Sequence, residues 1–389
     1  MRKGFTIIEL MLAMALLLAL LVGSGVVFSE AIKAHRAAKA TSEVSSKLRA
    51  ITQQLEADFR GLQETGEVAV AWQAVPLDHD GDGTTDEYVR LDRIMFFADG
   101  DFATYGTWRT DTTSTDGQML NGNLARVCYA LASDPGGNSA IDLMPQNRIL
   151  ARSQHLYTAM TVYDKNDNPV DFPDPSGGTL QGATVPFSVP NSFFEFDALT
   201  MSGWLNLTFS ATGASDKSDL LAQIFAIDLM GSSGDEGGLI VSPNSTVDLF
   251  GNATPDGAPV GLHQLLSQGV SEFRVQAWSE VAQGWYPQID PSGEWDFGDD
   301  YSDRFVDAGG SPLDPTLGIS SADSPVVLYQ PGGTYFTVSG AGAADASTGT
   351  LALQEAPGLG RALKFTFTIH DENGFFENGK RFSYIVELN

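Results

Sequence analysis

Cysteine is almost absent: Cys128 is the only one in 389 residues, so no disulfide can close within the chain. In the stretch Ala125-Arg-Val-Cys-Tyr-Ala-Leu131 it is expected to pack in a strand. Histidine is scarce as well, and His35, His79, His155, His263 and His370 include no H-E-x-x-H pairing. Neither a G-x-S-x-G elbow nor a Walker-type phosphate loop occurs. The expectation is a protein that is not an enzyme. Basic residues are the third shortage, with 22 Lys+Arg against 49 Asp+Glu and a formal net charge of −27. The balance is uneven along the chain, net +3 through residue 60 and net −30 beyond it. Such acidity repels nucleic acid and anionic lipid surfaces and suits a soluble domain or one that binds cations, so no nucleic-acid partner is expected. Apolar side chains are not in short supply. At 42% hydrophobic and 10% aromatic residues, the chain is too apolar for a solvated tail and is expected to fold.

The N-terminus carries the most information. Met1-Arg-Lys-Gly-Phe-Thr-Ile-Ile-Glu9 leads directly into an apolar run from Leu10 to Phe28. Residues 5–28 contain one ionisable side chain, Glu9. As a helix they extend roughly 36 Å at about 1.5 Å per residue, enough to cross a hydrocarbon core. Arg2 and Lys3 precede the run, so the positive-inside rule leaves the N-terminus in the cytoplasm and sends residues 29–389 across. A carboxylate just inside an apolar layer costs about 2.5–3.5 kcal/mol on insertion scales, so Glu9 calls for a partner. No basic side chain lies between Lys3 and Lys33. A secretory signal peptide also begins with a basic stretch and an apolar one, but here Glu9 interrupts the apolar segment and no A-x-A site follows Val22.

These residues resemble the type IV prepilin signature, with Gly4 before the cut, Phe5 after it, then Thr6-Ile7-Ile8-Glu9-Leu10. The resemblance implies cleavage between Gly4 and Phe5 by a membrane-embedded prepilin peptidase, which also methylates the new amine of Phe5. It further implies that Glu9 pairs with the N-terminal amine of a neighbouring subunit during assembly. The partners implied are the prepilin peptidase/methyltransferase, sister pilin or pseudopilin subunits, and inner-membrane lipid before assembly. The implied location is the inner membrane, with the C-terminal domain in the periplasm, and then the filament.

Beyond the apolar run, Val44, Leu48, Ile51, Leu55, Phe59 and Leu62 recur at helical spacing, while Glu43, Lys47, Arg49, Gln53 and Glu56 occupy the opposite face. One helix from Phe5 to Leu62 is expected, about 87 Å long. Gly23 and Gly25 flank Ser24 where the apolar run ends, which suits either local melting or close helix packing. From residue 67 the pattern is short β-prone runs between turn clusters: Val68–Trp72, Tyr88–Phe97, Ala125–Leu131, His155–Tyr163, Phe193–Phe196, Trp204–Phe209, Ile224–Leu229, Val270–Trp278, Val326–Leu328, Leu363–Ile369 and Phe382–Leu388. A further helical stripe is considered only at His263–Gln268. The expected fold is α+β, a long N-terminal helix packed on a mainly antiparallel sheet with large loop insertions. The expected divisions are a leader at 1–4, a transmembrane or filament-core helix at 5–28, its amphipathic continuation at 29–65, and a β-rich domain at 66–389. That domain is one body or two lobes, 66–215 and 216–389, with Gly309–Ser324 and Gly340–Thr350 as loops.

One stretch points to metal chemistry. Asp78-His-Asp-Gly-Asp-Gly-Thr-Thr-Asp-Glu87 places carboxylates at alternate positions with Gly83 at the sixth, as a calcium loop begins. Asp78, Asp80 and Asp82, the carbonyl of Thr84, and Asp86 or Glu87 form the candidate Ca2+ set. Val89 stands where an EF-hand needs its bidentate glutamate, so an EF-hand is not expected. The alternative is an acidic hairpin turn, because Asp-Gly pairs are common turn chemistry.

Leu55-Glu-Ala-Asp-Phe-Arg-Gly-Leu62 resembles the helix end of the J-type minor pseudopilins of type II secretion. Leu265–Trp278 followed by Gly284-Trp-Tyr-Pro287 does so more faintly. Arg361–His370 and Phe382–Leu388 are similar to the end of that family and of the W-type minor pilins of type IV pili. The resemblance and the bulk of the acidic domain imply a minor, tip-placed subunit. The alternative is a membrane-anchored, pilus-associated adhesin or ligand-binding module exported by the same route.

Overall fold

Helix α1 (Ile7–Arg60) runs unbroken for 54 residues in the computed structural model, straight through Gly23 and Gly25. No melting occurs at those glycines, and open space lies where a Cβ would stand at either, so nothing within this chain requires glycine there. The structure describes residues 7–63, 66, 68–72, 74–77, 84, 86–104, 110–113, 118–132, 145–157, 196–197, 264–279, 283–289, 295–296, 326–329, 335–338, 354–356 and 362–388. The sequence pattern carried the helix to Leu62. It ends at Arg60 because Gly61 meets strand backbone: a Cβ there would lie 2.0 Å from the carbonyl oxygen of Asp99. The Asp99 N–H donates to the Gly61 carbonyl at 2.6 Å and the Gln63 N–H to Phe97 at 2.9 Å, so the chain leaves the helix already hydrogen-bonded to the sheet.

The strands follow in chain order. The first eight are β1 (Val68–Ala71), β2 (Ala74–Leu77), β3 (Glu87–Arg90), β4 (Arg93–Ala103), β5 (Asn121–Ala132), β6 (Ile149–Tyr157), β7 (Phe196–Asp197) and β8 (Gln264–Gln268). Then come β9 (Val270–Ser279), β10 (Gly284–Tyr286), β11 (Gln288–Ile289), β12 (Trp295–Asp296), β13 (Val326–Tyr329), β14 (Tyr335–Val338), β15 (Gln354–Ala356), β16 (Ala362–Ile369) and β17 (Lys380–Glu387). Nine of them form one sheet in the order β15-β14-β13-β1-β4-β5-β6-β7, with β8 also on β6. A second sheet runs β10-β9-β16-β17. Among the described residues the strands pair antiparallel except β6 with β7, and the isolated bridge of Leu91 with Phe273 is also parallel. The fold is α+β, as the alternation of apolar and polar residues implied.

Two sequence expectations change. Of His263–Gln268, considered for a helical stripe, the described residues Gln264–Gln268 form a strand: β8 pairs antiparallel with β6, and Gly269, at φ +81°, turns the chain into β9 of the other sheet. A side chain at Gly269 would meet the His370 carbonyl oxygen at 2.9 Å, so both the backbone angle and the close approach require glycine. The run Tyr88–Phe97 splits into β3 and β4, because Leu91 bridges to Phe273 and the Asp92 N–H donates to the Phe273 carbonyl at 2.8 Å. The runs Trp204–Phe209 and Ile224–Leu229 and the loops Gly309–Ser324 and Gly340–Thr350 lie outside the described residues.

The core gathers where α1 crosses both sheets. Val44, Ile51, Leu55 and Phe59 are buried, with Leu48 and Leu62 packed beside them, so the predicted stripe is the face that docks. Phe59 joins the layers, its ring 4.2 Å from Phe96 of β4 and 5.4 Å from Phe365 of β16. Cys128 is buried in β5.

Candidate functional site

The same helix that is buried at one end is bare at the other. Residues 7–36 are all exposed, a length of about 45 Å at 1.5 Å per residue. Ile7 and Phe28 leave 78% and 70% of their surface open, values that a water-facing helix of this composition does not sustain without lipid or a protein partner. By length and composition α1 can cross a membrane. Glu9 stands exposed in the first described turn, the one ionisable side chain between Ile7 and Phe28. Gly4 and Phe5 lie outside the described residues.

What anchors this tail to the body is a buried polar cluster that sequence reasoning missed. Asp58, next to Phe59 on α1, is 5% exposed. Arg152 of β6 donates to its two carboxylate oxygens, Nε at 2.6 Å and Nη2 at 2.7 Å. The Tyr129 hydroxyl of β5 donates to the same carboxylate, and Gln54 Nε2 adds a bond at 3.2 Å. Burial, then the Asp58 charge, pushes the Tyr129 phenol well above its ordinary range, so it stays a proton donor. Arg152 reaches on to Gln154 at 2.8 Å, which donates to the Ala103 carbonyl at 2.9 Å. The helix is thus fixed by charge to the strand two places away from the one its aromatic side chain stacks on. The sequence signal was present but slight: an acid directly before Phe59 in the buried stripe, and an arginine in the alternation of β6.

Lower on the helix a second attachment corrects the reading of Glu43 and Lys47 as solvent-facing. The two pair at 2.7 Å with 17% and 16% of their side chains exposed. Lys47 donates to the His370 carbonyl at 3.1 Å and Glu43 accepts the Glu372 N–H at 3.0 Å, gripping the turn between β16 and β17. The His370 ring bonds Ser271 at 2.8 Å, and burial followed by the nearby Arg148 charge lowers its pKa. Asp371 caps the turn by accepting the N–H groups of Phe375 and Phe376, both at 2.9 Å.

The calcium candidates fall on the connection of one hairpin. β2 and β3 pair in register from Leu77 with Glu87 to Ala74 with Arg90, and residues 78–86 link them in the sequence. Thr84 and Asp86 are exposed and Glu87 opens β3, while Asp78, Asp80 and Asp82 lie outside the described residues. The flanks are the strands β2 and β3, where an EF-hand has helices. Among the described residues no group of three acidic, histidine or cysteine side chains is placed to hold a metal ion.

Residues 1–25 match the family model of the prokaryotic N-terminal methylation motif. No curated protein and no solved structure matches the chain. The motif, the exposed apolar helix that it runs into and the antiparallel domain support a type IV prepilin-like protein, and the motif implies processing by a prepilin peptidase and assembly with other pilin subunits.

Proposed function

We propose that this chain is a minor pseudopilin or minor pilin, assembled through α1 into a type II secretion pseudopilus or a type IV pilus and placed at its tip. The peptidase cuts between Gly4 and Phe5, the Phe5 amine is methylated, and Glu9 pairs with the corresponding amine of a neighbouring subunit. Before assembly the helix spans the inner membrane with its N-terminus in the cytoplasm and the domain in the periplasm. Calcium held by Asp78, Asp80, Asp82, Thr84 and Asp86 or Glu87 stiffens the β2–β3 hairpin.

The observation that carries this reading is the division of α1 into a bare apolar half that overlaps the methylation motif and a half locked to a large acidic domain. A subunit whose tail is interchangeable with its neighbours' tails and whose head is bulky fits a position where the head has room. Mass spectrometry of the protein extracted from membranes tests it. The expected N-terminus is methylated Phe5; an intact Met1, or a cut beyond residue 22, overturns the reading.

A further inference from the structure

Between the apolar run that ends at Phe28 and the first residue that α1 buries in the domain, Ala40, the helix carries a collar at residues 29–39. Of these residues only Ala37 is half-buried; the rest are exposed. The collar holds one acid, Glu30, and three strong bases, Lys33, Arg36 and Lys39. Glu30 pairs with Lys33 at 2.9 Å, but both side chains are 66% exposed and such a pair is weak. Arg36 and Lys39 have no carboxylate partner among the described residues. Their charge runs against the rest of the chain, which is net −30 beyond residue 60.

Helix geometry sets the depth of these cations. From Glu9 to Phe28 the rise is about 28 Å, close to the roughly 30 Å of a hydrocarbon core, so the far boundary falls just past Phe28. Along the axis Lys33 then lies about 8 Å beyond that boundary, Arg36 about 12 Å and Lys39 about 16 Å, while the headgroup layer is about 5–7 Å thick. Side chains on a helix lean toward its N-terminus, which here is toward the bilayer, so the long stems of all three carry their charges back to the headgroups. Lys39, the most distant, comes within a Debye length of that layer, about 8 Å at physiological salt. Steps of three residues turn the three cations through about a third of the helix circumference.

We infer that Lys33, Arg36 and Lys39 bind the phosphodiester headgroups of anionic phospholipids in the leaflet on the domain's side of the membrane. Charge complementarity and depth together select this occupant: the Arg36 fork matches two phosphate oxygens, and the lysines add point charges on either side of it. The acidic domain is repelled by the same surface, so the base of the helix is drawn to the lipid while the domain is held off it. Arg2 and Lys3 leave with the leader in the cut proposed above, and the collar is then the basic flank of the apolar run. The inference rests on the reading that α1 spans the membrane.

The test is native mass spectrometry of the full chain released from detergent micelles doped with equal amounts of phosphatidylglycerol and phosphatidylcholine. The expected result is preferential retention of phosphatidylglycerol by wild type, reduced about fivefold for each charge removed in Arg36→Gln/Lys39→Gln. Arg49→Gln/Arg60→Gln, which removes two exposed cations farther along α1, leaves the preference unaltered. Equal retention of the two lipids by wild type, or equal loss in both double variants, overturns the inference. So does a failure of Arg36→Gln/Lys39→Gln to assemble with its lipid preference intact, which assigns the cations to an acidic surface of a sister subunit. Alkaline carbonate extraction of membranes separates this inference from the reading beneath it. Release of the wild-type chain sinks the spanning helix and the collar together, whereas a chain that stays in the membrane without lipid preference sinks the collar alone.

Discussion

Asp58 and Arg152 stand 94 positions apart, yet the guanidinium donates to the carboxylate through two nitrogens, at 2.6 Å and 2.7 Å, inside the core. Neither charge has water to fall back on, since Asp58 is 5% and Arg152 3% exposed.

Breaking this pair from one side is therefore costly. Asp58→Ala leaves the Arg152 charge buried without its carboxylate and strips the Tyr129 hydroxyl of its acceptor, a loss of about 3–5 kcal/mol. Thermal or urea unfolding of the full chain measures it. The double variant Asp58→Ala/Arg152→Met should lose less than the two single changes together, because the orphaned charge is gone. Strict additivity would show the two residues to be energetically independent.

A second prediction concerns the end of α1. Gly61→Ala drives a methyl group onto the Asp99 carbonyl, backbone against backbone, and neither side can rotate away. Overpacking of this kind costs about 1–3 kcal/mol, so the melting temperature falls although no contact is deleted. An unchanged melting temperature would mean that the junction of helix and sheet is slack.

His370 supplies a pH dependence. Burial and Arg148 hold its pKa below the ordinary histidine value, with Asp371 opposing and Lys47 reinforcing the shift. The unfolded chain then binds a proton more readily than the folded one, so stability is present above about pH 6.5 and declines as pH falls through that value. Ser271, Glu43 and Asp371 surround the site; the Asp371 carboxyl lies below its usual range, held there by backbone N–H groups against burial, so its own contribution is lost only at more acid pH. Below pH 6.5 the melting temperature of wild type should fall more steeply than that of His370→Gln; equal slopes would show that other groups govern the dependence.

Glu9→Ala should leave cleavage at Gly4 intact and impair assembly, because the carboxylate is proposed to act on a neighbour's amine rather than on the peptidase. Immunoblotting separates precursor from mature chain, and filament yield reads assembly. Normal filaments from this variant would remove the proposed role.

Calcium should raise the melting temperature of the full chain, and Asp80→Ala should abolish the rise, since a ligand bound only by the folded state stabilises it in proportion to its occupancy. Equal melting temperatures with and without calcium, in both proteins, would count against a bound ion.

How much of this was visible before the fold depends on the range of the interactions involved. The helix and its buried stripe were legible because Val44, Ile51, Leu55 and Phe59 repeat within a few residues of one another, and periodicity is a local property. The methylation motif was legible for the same reason. Asp58 was not, because nothing near it in sequence says that Arg152 and Tyr129 will close over it. Glu43 and Lys47 were misplaced on the solvent side because the turn they grip, at His370 and Glu372, comes more than three hundred positions later. The stripe considered at His263–Gln268 was too short for its spacing to decide between helix and strand, and for Gln264–Gln268 the strand it joins decided instead.

The Asp58 clamp has a mechanical meaning. A pull along α1, such as withdrawal of the helix from a bilayer would exert, meets the Glu43–Lys47 grip on the turn after β16 first and then Phe59 and the Arg152 guanidinium, before it reaches Gly61. The force is then shared between both sheets, part of it at β6, a strand bonded on both sides, rather than passed to a flexible tether. Tail and head would travel as one solid lever, and the direction in which the head faces would be set by the tail.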